Sequence, residues 1–150
     1  MIEVTLTIDK ESVYNEVAQT TSYTGAKMAD ADAYERIFTT DEDKSMLERF
    51  WSECKNTIAN SLKRILLNEQ ETEEGIYSLY LSVSSSFNEA LTESMQRSLF
   101  SFFVMNITAK WYTFTNKNEA TGYASEAATY IDDIMRKAFF KKKPTRPTYN

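Results

Sequence analysis

The spacing of apolar residues predicts two β-strands that lie far apart in the chain. In residues 2–8 every second side chain is apolar, and residues 76–84 repeat this alternation from Tyr77 to Val83. A period of two is typical of a strand with one face against a core and the other in water. Two such strands would pair, within one chain or between neighbouring chains. Helices must cover them, because an isolated pair is marginal in water.

Apolar residues at three- and four-residue steps predict four helices. The predicted helices cover residues 10–20, 40–67, 89–114 and 119–140. Asp9 and Asn88 stand where the first and third helices need an N-cap. Thr40 with Asp43 resembles a capping box at the start of the second helix.

The third predicted helix is apolar around most of its circumference, so it belongs at the centre of a core or between subunits. Its apolar stripe runs through Phe103 and Ile107 to Phe114. We expect Phe103 and Ile107 to be buried, together with Trp51 and Leu62 from the second helix.

These elements predict an α+β fold that is predominantly α, with a bundle of three to four helices and a small β-strand pair. A chain of 150 residues fits one domain, which we expect over residues 1–140. Residues 20–33 are small and polar and predict a loop, and the acidic residues 68–75 predict an exposed turn. Residues 141–150 contain both prolines and predict an extended basic C-terminal tail.

The net charge of -5 is unevenly distributed along the chain. From Arg136 onward there are six basic residues and no acid, which leaves 11 basic against 22 acidic residues, a charge of -11, before it. An acidic body disfavours wrapping around DNA, because phosphate contacts dominate that affinity. The basic tail can instead reach an acidic surface of a partner. The tail residues predicted to bind a partner are Lys141, Lys142, Lys143 and Arg146.

The chain has no histidine and a single cysteine, Cys54. The absence of histidine removes the usual general base near neutral pH and excludes Ser-His-Asp and Cys-His nucleophile systems and the common zinc sites. Cys54 lies on the apolar stripe of the second helix, where a buried thiol is inert. The three glycines are not spaced as a phosphate-binding loop. We therefore expect no enzymatic activity, no catalytic or metal-binding residues, and no cofactor.

The sequence also argues against a membrane location. No apolar run approaches the ~18 residues that a membrane-spanning helix needs. The first ten residues lack the basic start and apolar block of a secretory signal. We expect the chain to be cytosolic, or part of something assembled in a cytosol.

Aromatic residues are abundant, with nine Phe, nine Tyr and two Trp making up 13% of the chain. A core of this size can hold many of them. A surplus of Tyr and Phe also fits a large protein interface. Both interpretations stay open at the level of the sequence.

Three helical segments share a pattern with one protein family. The segments are TTDEDKSMLERFWSECKNTIANSLKRIL, QRSLFSFFVMNITAKWY and YIDDIMRKAFFKKKP. They resemble the first long helix, the central apolar helix and the basic closing helix of the head–tail connector (adaptor) proteins of tailed bacteriophages. The resemblance covers about residues 39–67 and 95–146. The chain departs from the family in two ways: Tyr112 is followed by Thr113 and Phe114 where a basic residue is common, and the two predicted strands are extra.

The resemblance implies a structural virion protein that is assembled in the host cytoplasm and has no catalytic residues. Identical subunits would form a ring, a homo-oligomer, that docks on the portal protein and contacts other neck or tail proteins. DNA would pass through the ring without sequence-specific binding, and no membrane would be involved.

Two other classes of function remain compatible with the residues. A small nucleic-acid-binding accessory protein would use the basic tail as its contact, and its affinity would fall with salt. An enzyme would have to use carboxylates or tyrosines, and nothing marks a catalytic pair among the 22 acids.

Overall fold

The computed structural model describes residues 1–21 and 41–140 of the chain. The elements in these ranges are β1 (Ile2–Asp9), α1 (Lys10–Thr21), α2 (Asp41–Ser61), β2 (Leu66–Glu71), β3 (Ile76–Val83), a 3-10 turn (Glu89–Leu91), α3 (Thr92–Thr115) and α4 (Lys117–Ala138). Helices dominate and pack against one face of an antiparallel sheet. The predicted α+β, predominantly α class is confirmed.

The two predicted strands do pair, and they pair within one chain. β1 runs antiparallel to β3, with Ile2 opposite Val83 and Asp9 opposite Ile76. The apolar positions of both strands face the helices, as the alternation predicted, and all of them are buried except Ile2, which is partly buried. The polar positions of β1 and β3 form the outer face of the sheet.

A third strand, β2, corrects the prediction of a helix over residues 40–67 and a turn over residues 68–75. α2 ends at Ser61, and β2 pairs with β3, so that the strand order is β1-β3-β2. Leu62, just after the end of α2, is buried, and its carbonyl still accepts the Leu66 amide at 2.9 Å, as in a helical turn. The helical spacing of apolar residues therefore continues past the end of the helix. The last four residues of β2, Asn68 to Glu71, are all polar, and alternation therefore could not identify this strand.

Two of the proposed caps take part in hydrogen bonds of the expected kind. The Asp9 carboxylate accepts the Glu11 amide at 3.2 Å, which caps α1. The Asn88 side chain accepts the Ala90 amide at 3.1 Å, but it caps the 3-10 turn that leads into α3. Thr40 and most of the predicted loop at residues 20–33 lie outside the described residues.

Aromatic rings from several elements meet at the centre of the core. The Trp51 ring centroid lies 4.9 Å from that of Phe103 and 6.3 Å from that of Tyr77. All four residues predicted to be buried, including Leu62 and Ile107, are buried. The prediction that the apolar stripe of α3 extends to Phe114 is wrong at that residue, because Phe114 is 62% exposed.

We predict that Phe103→Ala lowers the free energy of unfolding by about 3–5 kcal/mol, because it leaves a cavity beside Trp51 and Tyr77. Urea denaturation measures this change. Phe114→Ala removes the same ring from an exposed position of the same helix and should cost less than about 1 kcal/mol. Equal losses in the two variants would contradict this packing.

Candidate interaction surface

The last residues that the structure describes form an exposed apolar surface at one end of the sheet. Phe139 and Phe140 follow the last turn of α4 and are 47% and 54% exposed. They line a cavity of about 170 Å³ with Ile65 and Val83, near the start of β2 and the end of β3. This pair of rings, with the side chains that line the same cavity, is called the tail base below.

Basic side chains surround the tail base. The Arg64 guanidinium lies 5.5 Å from the centroid of the Phe139 ring, a distance suited to a cation–π contact. Lys63, the preceding residue in the sequence, is exposed, and the side chain of Arg136 is 77% exposed. The predicted partner-binding residues Lys141, Lys142, Lys143 and Arg146 lie outside the described residues, but the structure shows where they are attached.

The opposite end of the sheet is acidic. There the turn between β2 and β3 carries the exposed residues Glu73 and Glu74 and closes through Gly75. Gly75 has a φ of +92°, and its carbonyl accepts the Lys10 amide at 2.9 Å, so the turn is held against the start of α1. The exposed charges of the turn itself are therefore acidic, whereas those beside the tail base are basic.

The two edges of the sheet differ in how they are covered. On β1, the Thr7 amide donates to the Gln96 side chain of α3 at 2.8 Å, so a helix lies over this edge. On β2, the only hydrogen-bonded neighbour among the described strands is β3. Among the described residues, β2 is therefore an edge strand, and half of its backbone groups have no partner strand there. This side of the sheet is called the open edge below.

Glu71 fixes this open strand to the core. Its carboxylate accepts the Trp51 Nε1 proton at 3.1 Å and the Lys55 ammonium at 2.7 Å. Burial alone would raise the pKa of Glu71, but the hydrogen bonds from Lys55 and Trp51 and the charges of Lys55 and Lys10 hold it below its ordinary value. This anchor could not be predicted from sequence patterns, because it depends on the register of an unpredicted strand.

A second polar network joins α3 to α4 near the tail base. The Asp133 carboxylate accepts the Ser98 hydroxyl at 2.6 Å and the Lys137 ammonium at 2.7 Å, and Lys137 also donates to Ser94. Burial opposes the charge of Asp133, but Lys137, Ser98 and Arg136 lower its pKa overall. These contacts hold α3 and α4 together.

Cys54 is buried, as its position on the apolar stripe predicted. Burial raises its pKa to about 12, while the Asn106 amide, which donates to the sulfur at 3.1 Å, acts in the opposite direction. A thiol with this pKa is almost entirely protonated near neutral pH. Cys54 is thus not a nucleophile in the folded protein.

The described ranges contain neither a metal cluster nor a membrane span. Within residues 1–21 and 41–140, no three His, Cys, Asp or Glu side chains lie close enough together to hold a metal ion. In the same ranges, no helix has both the length and the apolar character needed to cross a bilayer.

We predict that Glu71→Gln lowers the free energy of unfolding by about 1 kcal/mol near pH 7, because it weakens charge-assisted bonds that water partly screens. A carboxyl whose pKa is lowered by folding stabilises the protein above its ordinary pKa of about 4.3. That stabilisation is lost as the pH falls through the lower pKa of the folded state. The difference in the free energy of unfolding between wild type and Glu71→Gln should therefore shrink below about pH 4. Urea denaturation at several pH values measures it, and the exposed Glu74→Gln is the matched control. If the free energy of unfolding depended on pH in the same way in both variants, Glu71 would not anchor β2 to the core.

We predict that a thiol reagent labels Cys54 in the folded protein more than about 1000-fold slower than in the unfolded chain at pH 8, because the thiolate is scarce and the sulfur is covered. Stopped-flow absorbance with and without denaturant measures both rates. Labelling of the folded protein at the rate of an exposed thiol would overturn the assignment of Cys54 to the core.

Comparison with known proteins identifies no relative. No protein-family model, no curated protein and no solved structure matches the chain. The residues and their geometry are therefore the basis for assigning a function.

Proposed function

We propose that this chain is a structural virion protein, a subunit of the ring-shaped head–tail connector of a tailed bacteriophage. In this proposal, identical copies assemble in the host cytoplasm, dock on the portal protein and on other neck or tail proteins, and let DNA pass. The residues of the three helical segments supply the resemblance. The geometry supplies a surface suited to protein contacts.

The observation that carries the proposal is the tail base. Two adjacent phenylalanines are about half exposed beside Arg64 and Arg136, where the described chain ends. Aromatic and arginine side chains are enriched in protein interfaces, and a neighbouring pair of exposed aromatic rings favours a contact with another protein. The basic residues Lys141, Lys142, Lys143 and Arg146 follow directly in the sequence and extend the same surface.

The charge distribution supports contact between copies. β3 has eight residues, so the basic tail base and the acidic turn at Glu73 and Glu74 lie about 25 Å apart. Different surfaces at opposite ends of a subunit allow head-to-tail contacts, which close into rings when the rotation between copies permits. Complementary charge at such a contact favours the correct orientation of encounter.

The rival function is a nucleic-acid-binding accessory protein that uses the same basic tail. The acidic body opposes it, because the phosphate backbone would be repelled by most of the surface. The two functions differ in what the tail charges bind, and one set of variants separates them.

We predict that Lys141→Gln, Lys142→Gln and Lys143→Gln together weaken assembly and shift the protein toward its 17.3 kDa monomer. The loss should be largest at low salt, because high salt already screens the ion pairs of the wild type. Each exposed ion pair contributes only about 0.2–1 kcal/mol, but a ring repeats the contact in every subunit. Analytical ultracentrifugation measures assembly, and anisotropy of a labelled oligonucleotide measures DNA binding. Lys44→Gln, Arg97→Gln and Lys117→Gln make the same change of charge at exposed positions away from the tail and should leave assembly unchanged. Unchanged assembly with lost oligonucleotide binding in the tail variant would reject the connector and favour the rival.

A further inference from the structure

Two residues of β2 direct their backbone groups away from the sheet. The Thr72 amide donates to the Ile76 carbonyl at 2.9 Å, so the backbone of Thr72 points toward β3. The direction alternates along an antiparallel pair, and the amides and carbonyls of Glu71 and Glu69 therefore point away from β3. Since β3 is the only described strand that pairs with β2, these four groups are available to an added strand.

The opposite edge of the sheet is less accessible than the open edge. The outward amide of Thr7 in β1 is already bonded to the Gln96 side chain of α3 at 2.8 Å. On β2, by contrast, every residue after Leu66 is exposed. A strand from another molecule can therefore add to the sheet at β2, whereas α3 hinders addition at β1.

The carboxylates along the open edge outnumber the cations that meet them. Glu69 and Glu71 lie on β2, and Glu73 and Glu74 are exposed in the turn that follows. Lys55 of α2 pairs with Glu71 at 2.7 Å. In the part of the chain that the structure describes, no ion pair involves the other three acids. The open edge therefore carries uncompensated negative charge, which favours a basic partner.

This charge disfavours a strand of a second copy as the occupant of the open edge. Two β2 strands placed side by side would bring glutamates next to glutamates, which is destabilising. None of the three described strands contains a lysine or an arginine, so β1 and β3 do not match the edge either. The chemistry of the edge fits an extended basic segment of a different protein.

The side chains along the edge specify where the basic residues of such a segment belong. An added strand places every second side chain on the helix side of the sheet, in line with Glu69, Glu71 and Glu73. Glu69 accepts the Tyr77 hydroxyl through Oε2 at 3.3 Å, and its other oxygen can accept a cation. Glu71 already holds Lys55, so a neutral residue fits opposite it. Basic residues therefore fit opposite Glu69 and opposite Glu73, four residues apart in the added strand.

We infer that the open edge of β2 binds an extended basic segment of another protein by strand addition. The backbone groups of Glu69 and Glu71 bond to the backbone of the segment, and its two basic side chains pair with Glu69 and with the acidic turn at Glu73. The contact is short and exposed, so binding is weak and reversible. This inference goes beyond the proposed connector function and does not require a ring.

A synthetic peptide and amide hydrogen exchange measured by NMR test the binding directly. The probe is the acetylated and amidated peptide Thr-Lys-Thr-Val-Thr-Lys-Thr, which reads the same in both directions and so tests parallel and antiparallel addition together. In about 5 mM peptide, the Glu69 and Glu71 amides of the full-length protein should exchange at least about threefold more slowly than without it. The amides of Gln70, which faces β3, and of Thr7, which is held by Gln96, should exchange at the same rate in both samples.

Two control peptides separate strand addition from simple charge attraction. Thr-Glu-Thr-Val-Thr-Glu-Thr has the same backbone with the opposite charge, and Thr-Lys-Pro-Pro-Pro-Lys-Thr has the same charge without central amide protons. Neither should protect Glu69 or Glu71. On the protein, Glu69→Gln should reduce the protection given by the basic peptide, whereas Glu93→Gln, at an exposed position of α3, should leave it unchanged.

Four results would overturn the inference. They are unchanged exchange of Glu69 and Glu71 in the basic peptide, equal protection by either control peptide, equal slowing of the Thr7 amide, and slow exchange of Glu69 and Glu71 before any peptide is added. The last result would mean that the chain itself or a second copy already covers the edge. None of these outcomes depends on whether the protein forms rings, so the connector proposal stands or falls separately.

Discussion

The fold depends on the packing of one side chain, Trp51. Its indole ring contacts Tyr14 of α1, Phe103 of α3 and Tyr77 of β3, at centroid distances of 6.1, 4.9 and 6.3 Å. Its Nε1 proton is donated to Glu71 of β2. One residue of α2 therefore links two other helices and two strands, and the open edge of the sheet is held at a fixed position relative to the helices.

Much of this fold could be predicted from the sequence, because most elements have one apolar face. Alternation predicted β1 and β3 and their burial, and helical spacing predicted the position of α3 at the centre. β2 was missed because an edge strand with water on both sides carries no alternation, and because Leu62 continues the helical spacing after α2 has ended. The exposure of Phe114 was missed for a related reason: spacing gives the face of a helix, but not where the neighbouring elements end.

The candidate surface was less predictable than the fold. The basic tail is visible as a charge asymmetry, and Lys141, Lys142, Lys143 and Arg146 remain a prediction that lies outside the described residues. The tail base and the acidic turn lie at opposite ends of the sheet because β2 pairs with β3, and this pairing depends on contacts distant in sequence. The pair Asp133 and Lys137 has the i, i+4 spacing of a helical ion pair and could have been found, but its bonds to Ser94 and Ser98 could not.

The proposal that this chain functions by assembly rests on the exposed aromatic rings and arginines at one end of the sheet and the acidic turn at the other. Negative-stain electron microscopy of the purified full-length protein over a range of concentrations tests this most directly. The account predicts closed rings of uniform diameter at high concentration. Particles of monomer size at every concentration would contradict it.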